Sequence, residues 1–296
     1  MKLVIAGGAG FLGRALIWAM APVATEIVVL SRSSTPIAGA RVVSWDGQTV
    51  GPWARELDGA DAVVNYAGSP IFTRWTRANR VEILSSRVAP TKTIASAISA
   101  CAQPPRIWVN GSATGFYGDR GSESLDETAG QGAGFLAVVC GAWEAAAVLD
   151  SPKTVITLLR TGVVLDPGHP PLSLLLRLTK LFLGGRIGNG AAYMPWIGLR
   201  DHANLVRFCT EHAIGGPVNA VAPEAITNRD LMCALRARLR RPPALPTPVW
   251  PIRLAAHFGF PTEAVLASTR AVPSVVSGWG FEWTSPSLQS LLAAIE

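Results

Sequence analysis

Short apolar runs rich in β-branched residues alternate with stretches of helical spacing through the first half of the chain. Lys2–Ala6 is an apolar run closed by glycines, which predicts a buried strand, and Phe11–Met20 follows as a helix. Glu26–Leu30, Ala40–Ser44, Ala62–Asn65, Arg106–Asn110 and Val155–Arg160 predict five more strands. Helical stretches run from about Thr76 to Cys101 and from Phe135 to Leu149. Strands apolar on both faces and separated by helices require a parallel sheet covered on both sides. Right-handed crossovers make this an α/β, doubly wound Rossmann fold.

Beyond residue 165 the texture changes. Prolines cluster at Pro167, Pro170 and Pro171, and again at Pro242, Pro243, Pro246, Pro248 and Pro251. Between them the pattern predicts helices over Leu172–Leu183 and Arg200–His212, with a glycine-rich stretch from Gly184 to Gly190. Gly216–Val221 reads as a last strand of the main sheet. The expected organisation is a nucleotide-binding domain over residues 1–165, rejoined by 200–222, and a smaller substrate lobe from 166–199 and 223–296.

With 49% apolar and 16% charged residues the chain buries a substantial core, which excludes a disordered protein. The net charge of +6 invites a nucleic-acid or membrane reading. The positives are scattered, however, and the one dense run, Arg236, Arg238, Arg240 and Arg241, closes an expected helix, where it reads as a solvated face or an anion-binding surface. Neither nucleic acid nor membrane is expected as a partner. Cys101, Cys140, Cys209 and Cys233 show no paired spacing, and the histidines form no metal-binding pattern. No signal peptide or membrane span is readable, so a cytoplasmic protein is the expectation.

The strongest local signal is Gly7-Gly8-Ala9-Gly10-Phe11-Leu12-Gly13, a Gly-x-x-Gly-x-x-Gly pattern between an expected strand and helix. Gly7 allows the tight turn, Gly10 lets the backbone approach a pyrophosphate, and Gly13 lets the helix pack close to the sheet. The helix start at Phe11 and Leu12 then offers free N–H groups to phosphate. A Walker A loop is excluded, because Arg14 and Ala15 stand where Lys and Ser/Thr are required. At the end of the second strand, Ser31 and Arg32 replace the carboxylate that would bind a ribose 2′-hydroxyl, which selects NADP(H) as the expected cofactor.

GGAGFLGRAL, SWDG, NYAGSPI, RWT with SRVAPTKTI, SATGFYGDRG, LLRTGVVLDPG, MPWIGLRDHAN and VNAVAPEAITNRD follow one another in this order. Over essentially its full length the chain resembles the YfcH-like, SDR39U-type epimerase family of atypical extended short-chain dehydrogenases/reductases. The resemblance implies a Rossmann domain holding NADP(H) and a substrate lobe closing over the carboxyl edge of the sheet. It also places Asp46 beside the adenine and Ala67-Gly68 along the cofactor. The chain departs from that family at Trp196-Ile197-Gly198-Leu199-Arg200-Asp201, where relatives tend to read Trp-Ile-His-x-Asp-Asp.

Ordinary short-chain dehydrogenases use a Tyr-x-x-x-Lys pair in which lysine activates the phenol. Four residues beyond Tyr66, Tyr117 and Tyr193 stand Pro70, Gly121 and Ile197, so the pair is missing. Cys140 and Glu144 stand at its expected positions, a substitution that the resembled family shares. Cys140 is read either as a packing residue or as a weak acid; the neighbouring carboxylate would not activate it. Ser112 and Thr114, just past the fifth strand, are candidates for bonding a substrate oxygen, and Ser112 matches the superfamily position better. Tyr117 is read as structural or as a proton donor, Arg160 as orienting substrate or anchoring a loop, and Asp201 as a helix cap in preference to a group acting on substrate. Tyr193, Met194 and Trp196 suggest an apolar pocket wall and hence an apolar small-molecule substrate.

Three functions fit these residues: an NADPH-dependent reductase of a small carbonyl or conjugated alkene, a nucleotide-sugar epimerase, and a cofactor-binding sensor without turnover. The epimerase reading demands an effective base, and conjugate reduction does not. Homodimerisation is common in the superfamily, and no residue here argues for or against it.

Overall fold

The computed structural model describes residues 1–149 and 153–294. Seven strands form one parallel sheet: β1 (Lys2–Ala6), β2 (Glu26–Ser31), β3 (Arg41–Ser44), β4 (Ala62–Asn65), β5 (Ile107–Ala113), β6 (Val155–Thr161) and β7 (Gly216–Ala220). Their order across the sheet is β7-β6-β5-β4-β1-β2-β3, every neighbouring pair parallel. The chain starts in the middle, builds one side, then crosses back to build the other. That reversal beside β1 opens a crevice at the carboxyl edge, the place where open α/β sheets take their ligands.

Alternate residues of each strand feed opposite layers. Leu3 and Ile5 pack with α1 (Phe11–Met20) and α5 (Leu199–His212), through Leu16, Met20, Leu205 and Cys209. Val4 and Ala6 face the other way, toward Ile94 and Ile98 of α2 (Arg77–Ser99), with Trp45, Trp53 and Trp108 filling that layer. Because both faces are covered, the interior positions of β1, β2 and β4 are apolar in continuous runs rather than alternating, with polar residues only at the strand ends. The long α2 starts where Thr76 accepts a hydrogen bond from the Asn79 amide at 3.2 Å, a side-chain cap that satisfies one orphan donor.

Two helices end earlier than their patterns predict. The helix α3 (Phe135–Ala145) stops short of the expected Leu149, and Ala147 and Leu149 leave it to pack on the α2 layer. The helix α4 (Leu172–Lys180) is closed by Phe182 in a left-handed conformation, with the Leu183 amide bonded back to the Leu178 carbonyl at 2.9 Å. Both ends are decided by packing and by the turn, which apolar periodicity does not register.

The second lobe buries Trp196, Leu231, Leu235 and Leu291 between α4, α6 (Asn228–Arg238) and a C-terminal helix, Leu288–Ala293. Between those last two helices the chain crosses the surface as α7 (Val249–Ala255) and α8 (Thr262–Leu266). None of the described helices is long and apolar enough to cross a membrane.

Candidate functional site

The glycine loop joins β1 to α1 at the centre of the sheet. Gly7 has a φ of +77°, and a Cβ there would lie 2.8 Å from the Tyr66 backbone carbon. A Cβ on Gly13 would lie 2.4 Å from the Gly8 Cα, so the first turn of α1 and the loop touch backbone to backbone. Gly10 precedes α1 in an extended conformation, and its own amide closes the turn on the Gly7 carbonyl at 3.0 Å. No side chain caps α1 and its first turn holds no acidic residue, so the Phe11 and Leu12 end is open to an anion.

At the ends of β2 and β3 lies a cleft of about 460 Å³, walled by Arg32, Ser44, Trp45, Asp46, Thr49 and Trp53. Ser31 ends β2 beside it, and its hydroxyl accepts the Ser33 amide at 3.1 Å, holding the loop that carries Arg32. Asp46 lines the cleft, but its carboxylate is turned on its own loop. It accepts the Gln48 and Thr49 amides at 2.8 and 2.9 Å and the Thr49 hydroxyl at 2.6 Å. Those bonds, the hydroxyl's first, hold its pKa down at about 2. The exposed guanidinium of Arg32 is therefore the charged group left facing the cleft without a protein partner among the described residues. Open glycine turn, uncapped helix and the cleft beside Arg32 lie along one edge and fit the pyrophosphate and adenosine ends of a dinucleotide.

Beyond β4 the Ala67 amide donates to the Asn65 side chain at 3.0 Å, and Gly68 lies so close to Arg87 that a Cβ would sit 3.1 Å from its guanidinium carbon. Asn65 in turn donates to Asn110 at 2.8 Å and to Thr91 at 3.0 Å, while the Trp143 indole donates to the same Thr91 hydroxyl. This buried polar lattice ties β4, β5, α2 and α3 (Phe135–Ala145) together under the site. Sequence reasoning missed it, as it missed Arg87. Arg87 is 8% exposed, donates to the Ile83 and Ser69 carbonyls and stacks over Trp143. The asparagines that end the apolar runs of β4 and β5 were a signal for the lattice; nothing in the mixed polar sequence of α2 marked Arg87.

The expected catalytic positions meet at the ends of β5 and β6. The Ser112 hydroxyl donates to Glu144 Oε1 at 2.6 Å. Arg160 grips the same carboxylate with two bonds of 2.9 Å, and both side chains of the ion pair are under 10% exposed. Arg160 also donates to the Tyr117 oxygen at 3.0 Å and lies 3.7 Å over the Phe116 ring. The Tyr117 hydroxyl faces Asn219 Oδ1 at 2.7 Å and the Asp126 carbonyl at 3.1 Å, and the side chain is fully buried. Burial raises its pKa despite the guanidinium beside it. Cys140 lies one turn before Glu144 on α3, and burial first, then the Glu144 charge, push its thiol up to about 12. Ser112, Tyr117, Cys140 and Arg160 thus form one cluster, with Glu144 at its hub. Thr114 sits beside it, its hydroxyl 3.5 Å from the Thr161 carbonyl.

The remaining expected residues lie in the lobe. Tyr193 and Met194 pair with Thr227 and Ile226 and line a narrow seam against Thr269–Ala271. Trp196 lines the same seam while being only 1% exposed, with its indole N–H on the Glu224 carbonyl at 2.9 Å and its ring packed in the lobe core. Asp201 corrects the expectation of a helix cap: both oxygens reach across to the Thr284 and Ser285 amides at 2.7 and 2.8 Å, and α5 has no side-chain cap. The bond partners come from a segment more than eighty residues away, which local capping rules do not see.

The profile of the NAD dependent epimerase/dehydratase family matches residues 3–221. The chain belongs to that family. It is 32% identical to the epimerase family protein SDR39U1 of Bos taurus, with 100% of this chain and 99% of the relative aligned. The crystal structure of human epimerase family protein SDR39U1 with NADPH superposes with a TM-score of 0.89 at 30% identity, covering 100% of this chain and 99% of the other. A nucleoside-diphosphate sugar epimerase structure from Corynebacterium glutamicum has a TM-score of 0.78 at 32% identity, covering 99% of this chain and 57% of that one. The family expected from the sequence motifs is the one found, and a nicotinamide dinucleotide fold of the short-chain dehydrogenase type follows from it.

Proposed function

We propose that this protein is an NADP(H)-dependent reductase of a small, fairly apolar carbonyl compound or conjugated alkene. The cofactor choice is supported by the cleft beside β2, where Arg32 faces the space and the carboxylate of Asp46 is occupied by its own turn. An exposed guanidinium suits a 2′-phosphate dianion, and an engaged carboxylate offers little to a ribose hydroxyl. That the human relative is described with NADPH agrees with this choice.

The observation that carries the reaction class is the Ser112–Glu144–Arg160 cluster. When bound, the cofactor supplies a hydride to an electron-poor carbon. Oxidising an alcohol, as sugar epimerisation requires, needs a base to take its proton. Both oxygens of Glu144 are taken up by Arg160, and one of them also by the Ser112 hydroxyl, so neither is left facing a substrate alcohol, and burial and the Glu144 charge push the Cys140 thiol up to about 12. The Tyr117 proton is directed at Asn219 or the Asp126 carbonyl. Conjugate reduction asks less: after hydride addition at one carbon, the neighbouring carbon takes its proton from solvent. In this reading Ser112 and Thr114 orient the substrate oxygen, Cys140 packs the wall, Arg160 is a positioning residue through Glu144, and Tyr193 and Met194 line the apolar side.

Fluorescence titration of the purified protein with NADPH and NADH, with and without Arg32→Ala, tests the cofactor choice. Loss of one charge-assisted contact, worth about 1.5–3 kcal/mol, should weaken NADPH roughly ten- to a hundredfold and leave NADH unchanged. Equal losses for both would remove the 2′-phosphate assignment. A panel of enones and aldehydes followed by NADPH consumption then tests turnover; binding without consumption of any of them would favour a sensor.

A further inference from the structure

Two segments without a single acidic residue meet on one side of the substrate lobe. Residues 172–190 and 231–262 together carry eight arginines and lysines and no aspartate or glutamate, whereas in the rest of the chain acidic residues outnumber basic ones. The segments run side by side. The Gly188 amide donates to the Thr247 carbonyl at 2.9 Å and the Thr247 amide to the Arg186 carbonyl at 2.8 Å. Arg236 bonds the Gly184 carbonyl, and the Arg241 guanidinium lies 4.7 Å over the Phe182 ring. Among the described residues, no ion pair engages Arg177, Lys180, Arg240 or Arg253.

The same face is apolar. Leu181, Phe182, Leu183, Trp250, Leu254 and Phe258 are each more than half exposed. Neither α7 nor the turn Ala256–Phe258 contains a buried residue, although both are mostly apolar. An exposed apolar patch of this kind marks a surface that something covers. A second copy of the chain would set two cationic, acid-free faces against each other, which like-charge repulsion opposes. A nucleic acid would answer the charge and leave leucines and phenylalanines in water. Anionic headgroups over an acyl boundary answer both at once: guanidinium and ammonium groups meet phosphates while Trp250, Phe258 and their leucine neighbours enter the interface.

We propose that this face docks on the surface of a bilayer bearing anionic headgroups, without crossing it. The patch also adjoins the site. Arg74 donates to the Phe258 carbonyl at 2.6 Å, the Trp75 amide to Gly259 at 2.6 Å, and Glu263 holds the first amides of α3. Docking therefore brings the loop after β4 and the start of α3 toward the bilayer, a route of delivery for an apolar substrate. This last consequence rests on the reductase reading; the docking itself does not.

The test is flotation of the full chain with vesicles of phosphatidylcholine alone, and of phosphatidylcholine and phosphatidylglycerol in a two-to-one ratio. Co-flotation is expected only with the anionic vesicles and should fall as salt rises. Each cation near such a surface contributes about fivefold, so Arg177→Glu with Arg253→Glu should lower binding at least tenfold. Trp250→Ser with Phe258→Ser should do the same at constant charge, and an unchanged far-UV circular dichroism spectrum reports that each variant is folded. Absence of flotation, equal flotation with neutral vesicles, or undiminished flotation of both folded double variants overturns the proposal. So does binding to an acidic polypeptide without binding to vesicles, or a solution dimer that Trp250→Ser dissociates. Failure of the unaltered protein to bind NADPH would remove the reductase reading and leave the flotation result standing.

Discussion

Glu144 is a buried carboxylate on α3 whose charge is balanced from the neighbouring strand β6. Arg160 closes a two-bond pair on it, and breaking such a buried pair on one side costs about 3–5 kcal/mol, so the two residues belong together. A single residue also sets an acid limit on stability. His202 is fully buried, 3.4 Å from the Thr161 hydroxyl, and burial lowers its pKa from 6.5 to about 4. Because the folded pKa is depressed, the neutral ring is the form the fold accepts. Above pH 6.5 neither state is protonated and the group is silent. As pH falls below 6.5 the unfolded chain takes the proton first, and by pH 4 this favours unfolding by about 3 kcal/mol. Urea denaturation at pH 7 and pH 5 should show a drop in midpoint that His202→Leu removes; an equal drop in the variant would place the sensitivity elsewhere. A histidine in the first turns of a helix was visible in the sequence, but its burial depended on the sheet edge above it.

Individual elements owe their ends to distant partners. The helix α3 begins at Phe135 after Gly134, which has a φ of +110° and no side chain with which to cap. Its first two amides are instead bonded at 2.9 Å by the two carboxylate oxygens of Glu263, from α8. An anion at a helix N-terminus with charge-assisted bonds stabilises by about 1–2 kcal/mol. Glu263→Ala should lower the unfolding free energy by about that amount and expose α7 and α8 to limited proteolysis. Unchanged stability together with unchanged cleavage would mean that the clamp contributes nothing. The glycine turn is the opposite case. Gly7, Gly10 and Gly13 are adjacent in sequence and adjacent in space, so the element and its ligand chemistry were legible from the pattern alone.

At the scale of the whole molecule, the C-terminal segment is tied to the Rossmann domain by Asp201. Its oxygens serve the Thr284 and Ser285 amides, 83 and 84 residues away, while being 1% exposed. Asp201→Ala leaves two amides without partners and should cost about 2–4 kcal/mol, with hydrogen exchange rising first over residues 281–294. Uniformly faster exchange across the β-sheet would instead show that the residue supports the core. The tie also fixes the lobe against α5, so NADPH binding in this variant should persist while the lobe loosens.

Sequence alone determined what local, short-range rules govern. The run of buried strands and intervening helices prescribed the parallel sheet, because a strand covered on both faces reads as a nearly continuous apolar run rather than an alternating one. The glycine spacing prescribed a dinucleotide site, because its parts are contiguous and follow a strand end. Tertiary structure decided what depends on residues far apart in the chain. It joined Ser112, Glu144, Arg160 and Tyr117 into one cluster from three elements and a loop, buried Arg87 under Gly68, and turned Asp201 from a helix end to a distant backbone. Hydrogen-bond partners and desolvation are properties of the packed fold, and no spacing along the chain encodes which charges will meet there.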